Sequence, residues 1–478
     1  MHMPLNFFAT IFQTLLAHKE KELIRWPSEA GGSRGYTGSE LLEKIAAIRT
    51  VLLARSVQPS QPVLLAVPVS IDLICALLAV QSIGAVPVLP PAKARAGGIL
   101  KIIEKQKIRF VVTARSPTLL MKAAAWVKKF SCVVILHSSK TDQTIAIVDV
   151  PPAQPALISH SSGSTGAAKA VYRSHRILLA QHQVLKEAFP PWPDQIDFPL
   201  FPNILLHNLA IGVTSVLPAI PRFDLSKLNP ATIAGQLINE GVQTLTGNVF
   251  YFRKLAAYFQ EQSLLFPHVR AIGIGGSPVP ETLVHALKKV FTHATVYIIY
   301  GSSEAEPIAV RKVQEGTIHP LAGYKVGTVS KHVQLMLRST GEVAVAGKRY
   351  PVGEITIKGP HVAISAGAEA FNTGDFGYLD EHNELYLTGR RGNEKIIEGI
   401  QHYQLEQVIM EDERVERAAA IVQDDGFRVY VQGPIPKQEI ADLLKKYTDT
   451  SIIKSIRKRN RIPVDARHFS KILYKEVR

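Results

Sequence analysis

Cysteine is nearly missing from this 478-residue chain, which has only Cys75 and Cys132. Two cysteines without metal-ligand spacing exclude a disulfide scaffold and point to a reducing compartment, the cytoplasm. The sixteen histidines form no HxxxH or HExxH pattern, so no structural metal is expected. Long apolar runs are also lacking. Pro62–Pro90 is apolar, but Asp72 and several prolines interrupt it, so a buried strand and a packed helix are expected there and no transmembrane segment. Met3–Leu16 lacks the basic start and small-residue cleavage site of a signal peptide. Its Leu5, Phe8, Ile11, Phe12 and Leu15 predict an amphipathic helix against the core. Acidic residues are short in supply: 40 Asp and Glu face 55 Lys and Arg, a net charge of +15. Lys and Arg are scattered, with one dense cluster at Arg457, Lys458, Arg459 and Arg461. That cluster is too short for a basic face with interleaved aromatics, so no nucleic-acid partner is expected. Solubility and attraction to anionic ligands explain the charge, with an anionic membrane as the sharper alternative.

Hydrophobic residues make up 46% and charged residues 20%, which excludes disorder and supplies a core for two or more domains. Apolar runs at Val63–Val69, Phe110–Thr113, Val133–Leu136, Val242–Thr246, Ala271–Ile274 and Val296–Ile299 read as strands. Helical spacing occupies Leu73–Gln81, Met121–Lys129, Leu178–Phe189 and Thr282–Phe291. Such alternation predicts an α/β fold of mostly parallel sheets covered by helices. After Arg391 the pattern changes to a helix near Leu405–Met410, strands near Ala418–Val422 and Val429–Gly433, a helix near Gln438–Lys446, and a basic tail. The reading is a large N-terminal domain, 1–389, and a small mobile α+β C-terminal domain, 390–478. The glycines of Gly389–Gly392 can absorb a backbone rotation between them.

Four motifs carry chemistry. Ser161-Ser162-Gly163-Ser164-Thr165-Gly166-Ala167-Ala168-Lys169 lies between the strands Ala156–Ile158 and Val171. Its glycines, hydroxyls and lysine suit a nest for the β- and γ-phosphates of a nucleotide, and it is not a Walker loop. The alternative is a flexible Ser/Gly linker. Tyr300-Gly301-Ser302-Ser303-Glu304 follows a strand, where α/β sheets bind ligands. Glu304 can hold Mg²⁺ and Tyr300 can flank a base; the alternative is a strand-end turn with a capping serine. Upstream, Gly275-Gly276-Ser277-Pro278 lets a ligand approach the backbone, or is an ordinary turn. In Asn372-Thr373-Gly374-Asp375 the aspartate can accept from both ribose hydroxyls, assisted by Arg390, although such turns are common. Lys471 lies in Ile462-Pro463-Val464-Asp465-Ala466-Arg467-His468-Phe469-Ser470-Lys471-Ile472, a basic stretch of the kind that is normally a solvated tail.

In this order and at these separations, the four motifs resemble the acyl-adenylate-forming superfamily. Gly84-Ala85-Val86-Pro87-Val88, Gly327, Gly353-Glu354 and Gly359 extend the resemblance over nearly the whole chain. It implies an ATP- and Mg²⁺-dependent, AMP-forming ligase. It also implies that Ser161–Lys169 grips the phosphates, Glu304 serves Mg²⁺ and Asp375 binds ribose. Arg390 is then the junction arginine, Arg391 the hinge, and Lys471, with Thr165 and Glu304, a catalytic residue. Ala168 stands where the family has proline, Gly392-Asn393-Glu394-Lys395 departs from its acidic pair, and Ser470 replaces a glycine; these departures bear on CoA use more than on adenylation. Phe198-Pro199-Leu200-Phe201, Pro307 after Glu304, and the Ile462–Ile472 segment resemble the β-lactone synthetases of bacterial olefin biosynthesis. Those enzymes adenylate a β-hydroxy fatty acid whose own hydroxyl displaces AMP. The expected substrate is therefore a carboxylic acid, fatty or β-hydroxy fatty, with an acyl-CoA synthetase as the alternative. The acyl pocket is expected among Phe201–Leu209, Asn248–Phe252 and Gly275–Ser277. His207, Asn203, Asn208, Phe250, Tyr251 and Phe252 are lining candidates or plain packing residues.

Overall fold

The structure is a computed structural model that describes residues 5–28, 32–91, 94–135, 145–161, 169–200, 202–365, 367–465 and 469–477. The chain divides into two compact units, Met1–Asn229 and Pro230–Arg478.

The first unit begins with α1 (Phe7–Ala17), β1 (Glu22–Pro27), β2 (Ser33–Thr37), α2 (Gly38–Ala54), β3 (Pro62–Ala66) and α3 (Ile71–Ser82). It continues with β4 (Val86–Val88), α4 (Ala96–Lys105), β5 (Phe110–Thr113), α5 (Leu119–Lys128) and β6 (Ser131–Val134). Next come β7 (Pro155–Ser161), β8 (Lys169–Ser174), α6 (His175–Ala188), β9 (Ile196–Pro199), α7 (Pro202–Ile211) and β10 (Thr214–Val216). A six-stranded sheet runs β6-β5-β3-β4-β7-β8 and is parallel except for the β7–β8 hairpin. Its apolar strands are short and continuous because helices cover them. A second group pairs β9, β10 and β1 in parallel and β2 antiparallel. Local caps start the helices. The Thr37 hydroxyl accepts from Glu40 N–H while Glu40 reaches back to Thr37 N–H, a capping box for α2. Ser70 caps α3 through Leu73 N–H. The expected helix at the N-terminus is α1, which buries Phe8, Ile11 and Leu15 against α2 and α3.

The second unit opens with α8 (Pro230–Asn239), β11 (Thr244–Asn248), α9 (Val249–Glu261), β12 (Ala271–Gly275), α10 (Glu281–Val290) and β13 (Thr295–Ser302). An antiparallel set follows: β14 (Ala305–Lys312), β15 (Tyr324–Val329), β16 (Gln334–Val345), β17 (Lys348–Lys358), β18 (Phe371–Leu379) and β19 (Glu384–Arg390). Strands β11, β12 and β13 are parallel. From β13 the order runs antiparallel through β14, β15, β19, β18, β17 and β16. The chain then builds α11 (His402–Met410), β20 (Arg417–Gln423), β21 (Gly426–Gln432), α12 (Lys437–Lys445), β22 (Ile453–Lys458) and α13 (Tyr474–Val477). Helices α11 and α12 and the sheet β20-β21-β22 make the smaller C-terminal α+β part. The fold is thus α/β as expected, with a mixed sheet where strand–helix alternation gives way to a meander. One expectation is corrected: Ile453–Lys458 is not tail but a strand parallel to β21.

Candidate active site

Strand ends and loops of the second unit line one cleft. The end of β12 supplies Gly276 and Ser277, the end of β13 supplies Tyr300 and Ser302, and β18 and β19 supply Asp375 and Arg390. Gly275 must be glycine, because a Cβ there would stand 2.7 Å from the Ile299 carbonyl oxygen on β13. Gly276 turns the chain away at φ +85°.

Asp375 is the electrostatic centre. Cross-strand register places it opposite Arg390, whose guanidinium pairs with its Oδ1. The Tyr300 hydroxyl donates to its Oδ2 at 2.9 Å. Burial, and after it the Asp375 carboxylate, pushes the Tyr300 phenol well above its ordinary range, so it stays a donor. Asp375 likewise raises Arg390 against the opposing effect of burial. Thr373 fixes the turn by accepting from Asp375 N–H at 3.1 Å and donating to the Ile355 carbonyl at 2.9 Å.

A buried relay runs from Arg390 to the C-terminus. Arg390 N–H donates to His402 Nε2 at 2.9 Å, so that nitrogen is the acceptor and Nδ1 carries the proton. Nδ1 faces Glu406 Oε1 at 3.0 Å, one helical turn along α11. Glu406 also accepts from Ala420 N–H at 3.0 Å and from the Tyr474 hydroxyl at 2.9 Å. Three donors compensate a carboxylate that is only 2% exposed.

Lys471 lines the same cleft on a pinned loop. Its N–H donates to Asp465 Oδ1 at 3.0 Å, and its carbonyl accepts from Asp465 N–H at 2.9 Å. Nearby, Arg417 donates to the Phe469 carbonyl at 3.1 Å, and the Phe469 ring lies 5.3 Å from that of Phe250. The hydroxyls of Ser277 and Ser470 are buried in the cleft wall without a hydrogen-bond partner among the described residues.

A family model described as AMP-binding enzyme matches residues 12–365. The chain belongs to this family. An olefin beta-lactone synthetase of Xanthomonas campestris is 28% identical over 280 residues, 51% of this chain and 49% of that protein. The chain thus spans about half the length of the olefin synthetases it matches. A 4-chlorobenzoate–CoA ligase of an Arthrobacter species is 24% identical over 430 residues, 85% of this chain and 81% of the other. Among solved structures, ATP-bound MatB from Rhodopseudomonas palustris superposes with a TM-score of 0.81 at 20% identity, covering 100% of this chain and 98% of that one. MenE from Bacillus subtilis, in complex with ATP and magnesium, gives 0.78 at 19% identity and 98% coverage of both. The chain thus has the fold of MatB and MenE.

Within this AMP-binding enzyme, the structure gathers Gly276, Ser277, Tyr300, Gly301, Ser302, Asp375, Arg390 and Lys471 at one cleft, while Gly275 spaces β12 from β13 beside it. Tyr300–Ser302 are not a loop after the strand: β13 continues through Ser302 and returns as β14. Ser303 and Glu304 form the turn, outside the cleft lining; Glu304 N–H donates to Ser302 Oγ at 3.3 Å. Ser161 ends β7 and pairs antiparallel with Lys169 at the start of β8. Ser162, Gly163, Ser164, Thr165 and Gly166 lie outside the described residues, as does Phe201. Among the described residues no group of three His, Cys, Asp or Glu side chains is placed to hold a metal. No described helix is long and apolar enough to cross a membrane.

Of the lining candidates, Phe250 faces the cleft, whereas Tyr251 and Phe252 are buried core residues. Asn208 is a core clamp, donating to Asp197 Oδ2 at 2.7 Å and Ser215 Oγ at 2.9 Å. His207 is buried, its Nδ1 3.0 Å from that of His182. Burial lowers both, His207 to about 3 and His182 to about 4. Asn393, a departure from the family pattern, is a buried bridge to the Ala420 carbonyl and Val422 N–H at 2.7 and 2.9 Å. Sequence reasoning missed His402, Glu406 and Tyr474; the only available signal was a His–Glu pair four residues apart on a helix.

Proposed function

We propose that this ligase uses ATP to activate a carboxylic acid as an acyl-adenylate, and that with a long-chain β-hydroxy acid it closes a β-lactone without CoA. The observation that carries the reading is the single cleft joining the Tyr300–Asp375–Arg390 cluster to the loop of Lys471. Asp375 offers acceptors to a ribose diol, and Arg390 adds positive charge beside it. The Ser161–Lys169 hairpin is assigned to the β- and γ-phosphates. Glu304 would hold the Mg²⁺ that accompanies the triphosphate, and the ion would neutralise phosphate charge there. A carboxylate oxygen attacks the α-phosphorus and the bond to pyrophosphate breaks. Lys471 spans the carboxylate and α-phosphate oxygens, where negative charge concentrates in the transition state. In the second step the β-hydroxyl oxygen attacks the acyl carbonyl, AMP leaves with the acyl C–O electron pair, and the hydroxyl proton passes to solvent. Intramolecular attack has effective molarities of roughly 10⁵ M or more, which offsets ring strain. Residues 390–478 act as the small domain, turning about Arg390–Gly392 between the steps. Gly392, at φ +92°, suits that role.

A second reading, transfer of the acyl group to CoA, is favoured by the long alignment with the 4-chlorobenzoate–CoA ligase. The test incubates the enzyme with ATP, Mg²⁺ and either a 3-hydroxy acid or its 3-deoxy analogue, with and without CoA, and identifies products by mass spectrometry. Lactone from the hydroxy acid alone, independent of CoA, is expected. Acyl-CoA from both acids without lactone refutes the second step; no acid-dependent pyrophosphate exchange with any acid refutes adenylation.

A further inference from the structure

Helix α5 of the first unit is amphipathic in the inverted sense. Its inward side carries Met121, Ala124 and Ala125, packed on a small core cluster. Its outward side carries Leu119, Trp126 and Val127, exposed at 84%, 85% and 61%. At 100° per residue these three, with Lys122 and Ala123, fall on one face. A helix facing water places its large apolar residues on the other side. Removing such side chains from water is favourable, so this face is suited to an apolar medium.

The charge around it is equally one-sided. Residues 95–129 carry nine Lys and Arg against one acid, Glu104, a net charge of +8, more than half of the chain's +15. Lys101, Lys105, Lys107, Arg109, Arg115 and Lys122 are all exposed. Glu104 on α4 is paired with Lys128 on α5, which neutralises the one acid and ties the two helices together. The sequence did not display this patch, because the basic residues are spread over two helices and the connections between them.

We propose that α5 and the flanking basic residues form a docking surface for an anionic lipid bilayer. Trp126, Leu119 and Val127 enter the interface, where an indole with one apolar body and one N–H is favoured. The lysines meet the anionic headgroups, each adding attraction that salt screens. Nucleic acid is disfavoured, since exposed leucine and valine offer it nothing and no row of aromatic stacking platforms accompanies the lysines. This inference stands independently of the substrate assignment.

The test is vesicle co-sedimentation of the full chain with phosphatidylcholine vesicles and with vesicles containing about one third phosphatidylserine, at low and at roughly 0.5 M salt. Binding to the anionic vesicles at low salt is expected, at least tenfold above phosphatidylcholine alone and weakened by salt. The variant L119S/W126S/V127S should bind at least tenfold more weakly with an unchanged melting temperature. K101Q/K105Q/K122Q should lose a comparable factor. Absence of binding to anionic vesicles overturns the proposal, as does binding that the apolar variant leaves intact. Tighter binding to an oligonucleotide than to vesicles, insensitive to L119S/W126S/V127S, overturns it in favour of nucleic acid. Sedimentation showing a dimer that the same variant dissociates overturns it in favour of a second copy.

Discussion

Replacing Asp375 with alanine removes the acceptor on which the cleft's polar cluster converges. In the parent, one carboxylate oxygen takes the Tyr300 hydroxyl at 2.9 Å and the other takes the Arg390 guanidinium. A nucleotide ribose held there forms hydrogen bonds to a charged acceptor, worth about 1.5–3 kcal/mol each. At about 1.4 kcal/mol per decade, one such bond is roughly 10- to 150-fold in affinity. The freed Arg390 can turn toward a ribose oxygen and recover part of this, so a 10- to 100-fold weaker ATP affinity is expected for Asp375→Ala. Folding suffers separately, because the buried Tyr300 hydroxyl loses its acceptor, a cost of about 1–3 kcal/mol. Tyr300→Phe separates the two effects: it removes the donor, leaves the carboxylate, and should change ATP affinity less than about fivefold. Titration calorimetry with ATP and Mg²⁺, paired with scanning calorimetry on the same preparations, reads both quantities. If Asp375→Ala binds ATP within twofold of the parent while its melting temperature falls, the carboxylate is structural and the ribose assignment is wrong.

Lys471→Ala should leave ATP binding intact and reduce pyrophosphate exchange by on the order of 10²–10³, the usual cost of a lost transition-state donor; equal exchange by mutant and parent refutes the role. Tyr474→Phe breaks the 2.9 Å bond to Glu406 that anchors the chain three residues after Lys471. It should lower the exchange kcat several-fold with KM for ATP unchanged, and a parallel loss in both would mark a merely structural contact. Ser470→Ala removes a buried hydroxyl without a partner, so it should raise the melting temperature slightly while lowering exchange; higher exchange would place Ser470 outside the chemistry. His182 and His207 are held near 4 and 3, below the ordinary value of 6.5. The unfolded chain then binds the extra protons, so their contribution is constant above about pH 6.5 and stability falls as pH drops toward 4. His207→Gln should show a shallower fall in melting temperature over that window, and identical slopes would refute the assignment.

The helices and the parallel strands were legible because each carries a simple period. Helix α3 follows a serine cap and repeats apolar residues at helical spacing, and β3 and β5 are short apolar runs buried on both faces. The antiparallel strands from β14 to β17 were invisible for the opposite reason. Strands β16 and β17 mix Arg338, Glu342, Lys348 and Arg349 with residues of intermediate burial, so neither an apolar run nor a clean alternation appears. Strand β22, Ile-Lys-Ser-Ile-Arg-Lys, looked like tail because its apolar residues are outnumbered by cations. In the site, Asp375 and Arg390 were readable from the turn chemistry around them, and their proximity required only that β18 and β19 pair. His402 and Glu406 were not readable: on a helix surface such a pair is an ordinary contact, and only burial by β20 and Tyr474 makes it a relay. Trp126 escaped notice because amphipathic spacing reveals that a helix has two faces but not which one the fold turns inward.

The cleft is built at a cost to stability, and the pattern of that cost bears on its use. Buried polar groups are nearly always paired, because leaving one unpaired costs about 1–3 kcal/mol. Three buried polar groups of the second unit are well satisfied: Glu406 has three donors, Asn393 two partners, and Asp375 a hydroxyl and a guanidinium, whereas others, such as the Tyr251 hydroxyl and His361 Nδ1, have no partner among the described residues. Ser277 and Ser470 are buried in the same wall without a partner among the described residues. One follows the Gly275-Gly276 turn of the sheet; the other precedes Lys471 on the loop pinned by Asp465. A packing role would be served as well by alanine, which avoids the desolvation cost. Hydroxyls kept unpaired at these two positions, in a cleft that Arg390 and Lys471 also line, are suited to a ligand that brings its own oxygen acceptors. A phosphate ester joined to an acyl carbonyl brings them at both ends, which fits the carboxylate-activating reading.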